Sequence, residues 1–159
     1  MRLVTVDIAD MKISTDAEAV LVTYALGSCI AVLVHDPVRK VGGMIHYMLP
    51  RASTAPDKAK AKPAMFADTS IPLLFQGMYA KGCKKQDLVV KVAGGAALVI
   101  MADIFEIGKR NHLILRKMLE HAGVSIAAEE VGGSVFRTAR LHVATGRATI
   151  KNNSSEHEL

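Results

Sequence analysis

The sequence predicts an α+β fold in which a mixed, largely antiparallel sheet packs with two main helices. Three observations carry this reading. Short runs rich in Val and Ile, of strand length, cluster at both ends of the chain. Two stretches with helical spacing of apolar residues lie between them. The chain has 159 residues, 50% of them apolar, with a mean hydropathy of +0.25, which suits one domain with a substantial core. No repeat or linker divides the chain, so residues 1–151 are expected to form a single domain.

The elements follow in order. Residues 1–10 alternate weakly and fit a first strand, and Met11 to Ala19 is polar and reads as a loop. Val20 to Tyr24 and Cys29 to Val34 are apolar runs broken by Leu26-Gly27-Ser28, and they read as two buried strands around a turn. His35-Asp36-Pro37-Val38-Arg39-Lys40 has turn chemistry, since Pro presets φ and Asp suits the opening position. Val41 to Met48 is the return strand. Pro50 to Pro63 is a polar loop rich in Ala, Lys and Pro, expected to be mobile. Asp68-Thr69-Ser70 offers N-caps for a helix that runs to about Lys81, with Pro72 in its first turn and Gly82 past its end. Leu88 to Ala93 is a strand stopped by Gly94-Gly95. A second helix spans roughly Gly108 to His121, with Leu113, Ile114, Met118 and Leu119 among its apolar positions and Gly123 beyond it. Val124 to Val131, Phe136 to Val143 and Arg147 to Lys151 complete the strands. Residues 152–159 are polar and expected to be a disordered tail.

Composition removes several function classes. The net charge is only +5, Trp is absent and aromatics make up 4%, so a stacking platform for nucleic acid is poorly supplied. The longest uncharged run, Ala19 to Val34, has 16 residues and falls short of the roughly 20 that a spanning helix needs. Asp7, Asp10, Asp16 and Glu18 are wrong for a signal peptide. Two cysteines make no disulfide framework and fit a reducing compartment. The expectation is a cytoplasmic protein that is not membrane-inserted.

Register supplies the chemical reading. With the turn at Asp36 to Arg39, Ile30 opposes Ile45 and Cys29 opposes His46. Opposed residues share a sheet face, so thiol and imidazole can meet, whereas a one-residue slip would separate them. Such a pair suits nucleophilic catalysis, in which an imidazolium lowers the thiol pKa and then protonates a leaving amine. Gly27 and Ser28 add little bulk before Cys29, so backbone N–H groups there can face a developing oxyanion. The Thr23 hydroxyl can orient the second imidazole nitrogen. Packing alone is the competing account, because a buried Cys in an apolar strand is ordinarily a small hydrophobe. A zinc site at Cys29 and His46 has no second ligand pair. Cys83, after Gly82, reads as a structural or partly exposed thiol, and Gly94-Gly95-Ala96 lacks phosphate-loop spacing and reads as a tight turn or as room for close backbone approach beside the site.

The same residues carry a resemblance. Leu26-Gly27-Ser28-Cys29, His35-Asp36-Pro37 and the run from Gly42 to Pro50 closely resemble the CheD family of chemoreceptor glutamine deamidases, and Thr23 fits six residues before Cys29. Ala67-Asp68, Gly94-Gly95-Ala96, the run Ile107 to Asn111, and Gly132-Gly133 with Arg137-Thr138 extend the similarity over about residues 3–151. The resemblance implies a catalytic Cys29, His46 and Thr23, and a sandwich related to bacterial toxin deamidases. It implies hydrolysis of glutamine side chains on the helices of methyl-accepting chemotaxis receptors, with no metal or organic cofactor, and for some members a CheC-type phosphatase as partner. Two other functions stay open: an adaptor that docks on receptors or on a CheC-type protein with little or no catalysis, and a cysteine hydrolase of small molecules.

Overall fold

In the computed structural model, which describes residues 1–98 and 105–159, the strands form two five-stranded sheets. The first has the order β1-β3-β8-β9-β10, made of Arg2–Thr5, Ala19–Leu26, Arg137–His142, Ala148–Lys151 and Glu156–Glu158. The second has the order β2-β5-β4-β6-β7, made of Asp10–Ser14, Val41–Tyr47, Ile30–Asp36, Val89–Gly94 and Ile126–Val131. The β1–β3 and β6–β7 pairs are parallel and the remaining pairs antiparallel, so both sheets are mixed. The α+β expectation holds, with the strands divided between two layers.

The period-two alternation of β4 explains why its whole run is apolar. Ile30, Val32 and Val34 face one core with the long helices α2 (Ala67–Ala80) and α3 (Ile107–His121). Ala31 and Leu33 face a second core between the sheets, with Leu21, Met44, Ala139, Leu141 and Ile150. A strand covered on both faces reads as a continuous hydrophobic run. Gly43 in β5 lets α2 close down, because a Cβ there would stand 2.9 Å from Leu74 and 3.0 Å from Met78.

Several local expectations change. β3 and β4 are not a hairpin: they lie in different sheets, and residues 27–29 carry the chain between the layers. Met11 to Ser14, expected as loop, belongs to β2 and pairs with β5. The 50–63 segment is not a bare loop, since it holds a short exposed helix α1 (Pro56–Ala61). α2 has the expected extent, but Phe66 is its N-cap and Pro72 lies inside it. Asp68 instead accepts the Ala52 N–H at 2.9 Å. The 152–159 tail is also corrected, because Glu156–Glu158 pair with β9 after a turn in which the Asn152 side-chain Oδ1 accepts the Ser154 and Ser155 N–H groups. Alternating exposed glutamates hid an edge strand whose support comes from partners distant in sequence: Arg140 to Glu156 at 2.9 Å, and His157 to Glu130. Among the described residues, no helix is long and apolar enough to cross a membrane.

Candidate active site

The site begins with Thr23, which β3 turns into the space between the sheets. Its Oγ1 lies 2.6 Å from the Val6 carbonyl oxygen and 2.7 Å from His46 Nδ1. A hydroxyl has one proton and a carbonyl oxygen only accepts. Thr23 therefore donates to Val6, and His46 donates its Nδ1–H to Thr23. This fixes the neutral imidazole as the Nδ1–H form and leaves Nε2 with a free lone pair. Nε2 is buried and has no hydrogen-bond partner among the described residues. Thr23 and His46 come from different sheets, so this contact also clasps the two layers.

The position of Cys29 corrects the expected register. The β4–β5 turn takes the four residues Pro37 to Lys40, and Asp36 pairs with Val41. Asp36 holds the wider turn by accepting the N–H groups of Val38 and Arg39 at 2.8 and 3.0 Å. Lys40 closes it at φ 57°. Every partner moves by two, so His46 opposes Ala31. A shift of two preserves the face. Cys29, two residues before Ala31, sits diagonally to His46 on the same side and packs against the core between the sheets.

Burial sets the protonation states. It pushes the half-buried Cys29 thiol up to about 11, against a weaker opposing pull from its own backbone N–H. It lowers His46 from 6.5 to about 4, with a smaller upward pull from Asp7. Both groups are thus neutral at pH 7. The expected lowering of the thiol pKa by an imidazolium is absent from this resting state. At rest the structure holds a protonated thiol and a neutral imidazole on the same side of β4–β5, and His46 Nε2 makes no hydrogen bond to the thiol or to any other described group.

The loop carrying the thiol is tied by its three carbonyls. Gly27 O accepts from Ala96 N–H at 2.8 Å, and Cys29 O accepts from Gly95 N–H at 2.8 Å. Ser28 O accepts from Asn111 Nδ2 at 3.0 Å. Gly94 and Gly108 permit this approach: a Cβ on Gly94 would overlap the Cys29 carbonyl, and one on Gly108 would stand 2.5 Å from the Gly95 oxygen. The expectation of close backbone approach at Gly94-Gly95-Ala96 holds. Asn111 Nδ2 also reaches the Met48 carbonyl at 2.9 Å, just past the strand that carries His46. Sequence reasoning gave Asn111 no role, although a polar residue on the stripe of Ile114, Leu115 and Met118 is a visible signal. Val6 acts through its backbone carbonyl, for which no sequence signal exists.

The remaining candidates lie elsewhere. Cys83 is buried beside Asp36, and burial with that carboxylate pushes its thiol up to about 11. His35 places its Nε2 2.8 Å from the Val143 carbonyl and binds the sheets together.

The fold and the site define a class: an α+β sandwich with a thiol and an oriented imidazole on the inner side of one sheet and a hydroxyl facing them from the other, a set suited to acyl transfer through sulfur. Comparison with known proteins gives the family. A family model described as CheD chemotactic sensory transduction matches residues 48–152. A protein of Anaeromyxobacter dehalogenans (strain 2CP-C) named probable chemoreceptor glutamine deamidase CheD 2 is 49% identical over 152 residues, 96% of each chain. The Syntrophus aciditrophicus (strain SB) protein named probable chemoreceptor glutamine deamidase CheD 1 is 48% identical over 150 residues, 94% of each. A relative of the same description in Solibacter usitatus (strain Ellin6076) is 43% identical over 159 residues, 100% of this chain and 94% of its own. The chain belongs to the CheD family.

Proposed function

We propose that the protein hydrolyses glutamine side-chain amides to glutamate on methyl-accepting chemotaxis receptors, through a thioester at Cys29. The observation that carries the reading is the bond from His46 Nδ1–H to Thr23, which leaves Nε2 as the free base on the Cys29 face. The names of the relatives support the substrate class.

In this mechanism Cys29 Sγ attacks the carboxamide carbon while His46 Nε2 takes the thiol proton. Thr23 accepts from Nδ1–H throughout and steadies the imidazolium. The N–H groups of Ser28 and Cys29 receive the oxyanion, and each such donor contributes about 2.7–4 kcal/mol in the transition state. His46 returns its proton to the departing nitrogen, the C–N bond breaks, and ammonia leaves. Water then adds to the thioester carbon as Nε2 takes its proton. Collapse of the adduct breaks the C–S bond, regenerates the thiol and releases glutamate. No step requires a metal or organic cofactor. The protein acts in the cytoplasm, on helical receptor segments.

The test incubates purified receptor with wild type and with Cys29→Ala. Wild type should release ammonia and add about 1 Da to the receptor per converted amide, and the variant should bind receptor without either change. Turnover by Cys29→Ala removes the nucleophile. Receptor binding by wild type with no mass change identifies the adaptor, and activity confined to free glutamine identifies a small-molecule hydrolase.

A further inference from the structure

We propose that Asn111 is a positioning residue that builds the oxyanion site, by holding the Ser28–Cys29 peptide plane with its carbonyl inward and its N–H outward. This deepens the proposed function and rests on its assignment of Cys29 as nucleophile. Asn111 is fully buried on α3. Its amide nitrogen contacts the Ser28 and Met48 carbonyl oxygens, at 3.0 and 2.9 Å. Both partners only accept, so the nitrogen end must face them and the side chain has one orientation. The other end, Oδ1, has no hydrogen-bond partner among the described residues. A buried unpartnered acceptor is destabilising, so packing alone does not account for an amide here. The main chain at this residue is held too: the Tyr47 hydroxyl donates to the Asn111 carbonyl at 2.6 Å.

Peptide geometry turns this tether into chemistry. In a trans peptide the C=O and the following N–H point in opposite directions. Drawing Ser28 O inward to Asn111 sends the Cys29 N–H outward. The Ala96 bond to Gly27 O does the same for the Ser28 N–H. Among the described residues, neither of these two N–H groups donates to a backbone carbonyl. They are left as adjacent donors beside the thiol, as an oxyanion requires. The second Asn111 bond, to Met48, ties the same loop to the end of β5, so one side chain sets the thiol against the His46 strand.

The experiment separates thiol reactivity from oxyanion binding. Iodoacetamide alkylates a thiol by displacement and creates no oxyanion. An aldehyde analogue of the glutamine side chain adds reversibly: Sγ bonds to the aldehyde carbon, the C=O π bond opens, and the thiol proton passes to the oxygen, which rests in the oxyanion site. Wild type and Asn111→Leu, which keeps the branched four-atom side-chain skeleton, are compared on a Cys83→Ala background. The variant should keep Cys29 alkylation within about 3-fold, bind the aldehyde about 10²-fold more weakly, and lose about 10²–10³-fold in kcat with KM little changed. Asn111→Gln, which keeps the amide, should recover part of the aldehyde affinity. Unchanged aldehyde affinity in Asn111→Leu, or an equal fall in alkylation, overturns the assignment, as does a wild type that captures no aldehyde. A wild type that captures aldehyde yet leaves receptor amides intact sinks the receptor reading and leaves the role of Asn111 standing.

Discussion

Thr23 shows how much one hydroxyl decides. Its single proton goes to Val6, so the imidazole must present Nδ1–H to it and a bare Nε2 to the site. Thr23→Val keeps the shape and removes the lock, and it leaves the Val6 carbonyl unpaired at a cost of about 1–3 kcal/mol. kcat should fall about 10- to 10²-fold, less than for Cys29→Ala, and Thr23→Ser should restore most of it; steady-state ammonia release measures both. His46 makes a second prediction. Its folded pKa is about 4 against 6.5 for the unperturbed group, so the unfolded chain binds the proton first. The stability associated with neutral His46 is whole above pH 6.5 and is lost as pH falls to about 4, a change of about 3 kcal/mol. Urea unfolding between pH 7 and 4 should show this slope, and His46→Gln should flatten it. An unchanged slope in the variant would place the acid sensitivity elsewhere.

At the scale of elements, the nucleophile loop owes its shape to backbone contacts that exclude side chains. Gly94 stands at φ 114° under the Cys29 carbonyl, so Gly94→Ala meets both strain and overlap. It should destabilise by about 2 kcal/mol or more and lower kcat at least about 10²-fold by displacing the thiol. Gly132→Ala is the control, because Gly132 also has positive φ, 81°, but an added Cβ there meets nothing within 4 Å. It should show the strain without the loss of turnover, measured by thermal unfolding and ammonia release. The turn after β4 teaches a related lesson about legibility. Asp36 and Pro37 marked it in the sequence, but its length depended on how Asp36 spreads its hydrogen bonds. A two-residue error in partner followed, while the face stayed correct because the side-chain period of a strand is two.

Across the whole molecule, the two sheets are joined at the site by Thr23 and His46 and at the far edge by the last strand. Glu156 meets Arg140 within the first sheet, and His157 reaches Glu130 on β7 of the second. These groups are partly solvent-accessible, so the expected contribution is modest. Removing residues 153–159 should cost about 1–2 kcal/mol in urea unfolding and leave kcat within about 2-fold. A large fall in turnover would give the tail a part in the site that its position does not suggest.

By itself the sequence determined the α+β class, the approximate extents of α2 and α3 and most strands, and it singled out Thr23, Cys29 and His46 as candidates, because periodicity, glycine and proline punctuation and local motifs act over a few residues. Only the tertiary structure decided that β3 and β4 lie in separate sheets, that Thr23 meets His46 across the layers, that both titrating groups are neutral at rest, and that Asn111 holds the loop. Those outcomes depend on desolvation and on contacts between positions such as 28 and 111, which no short window of residues contains.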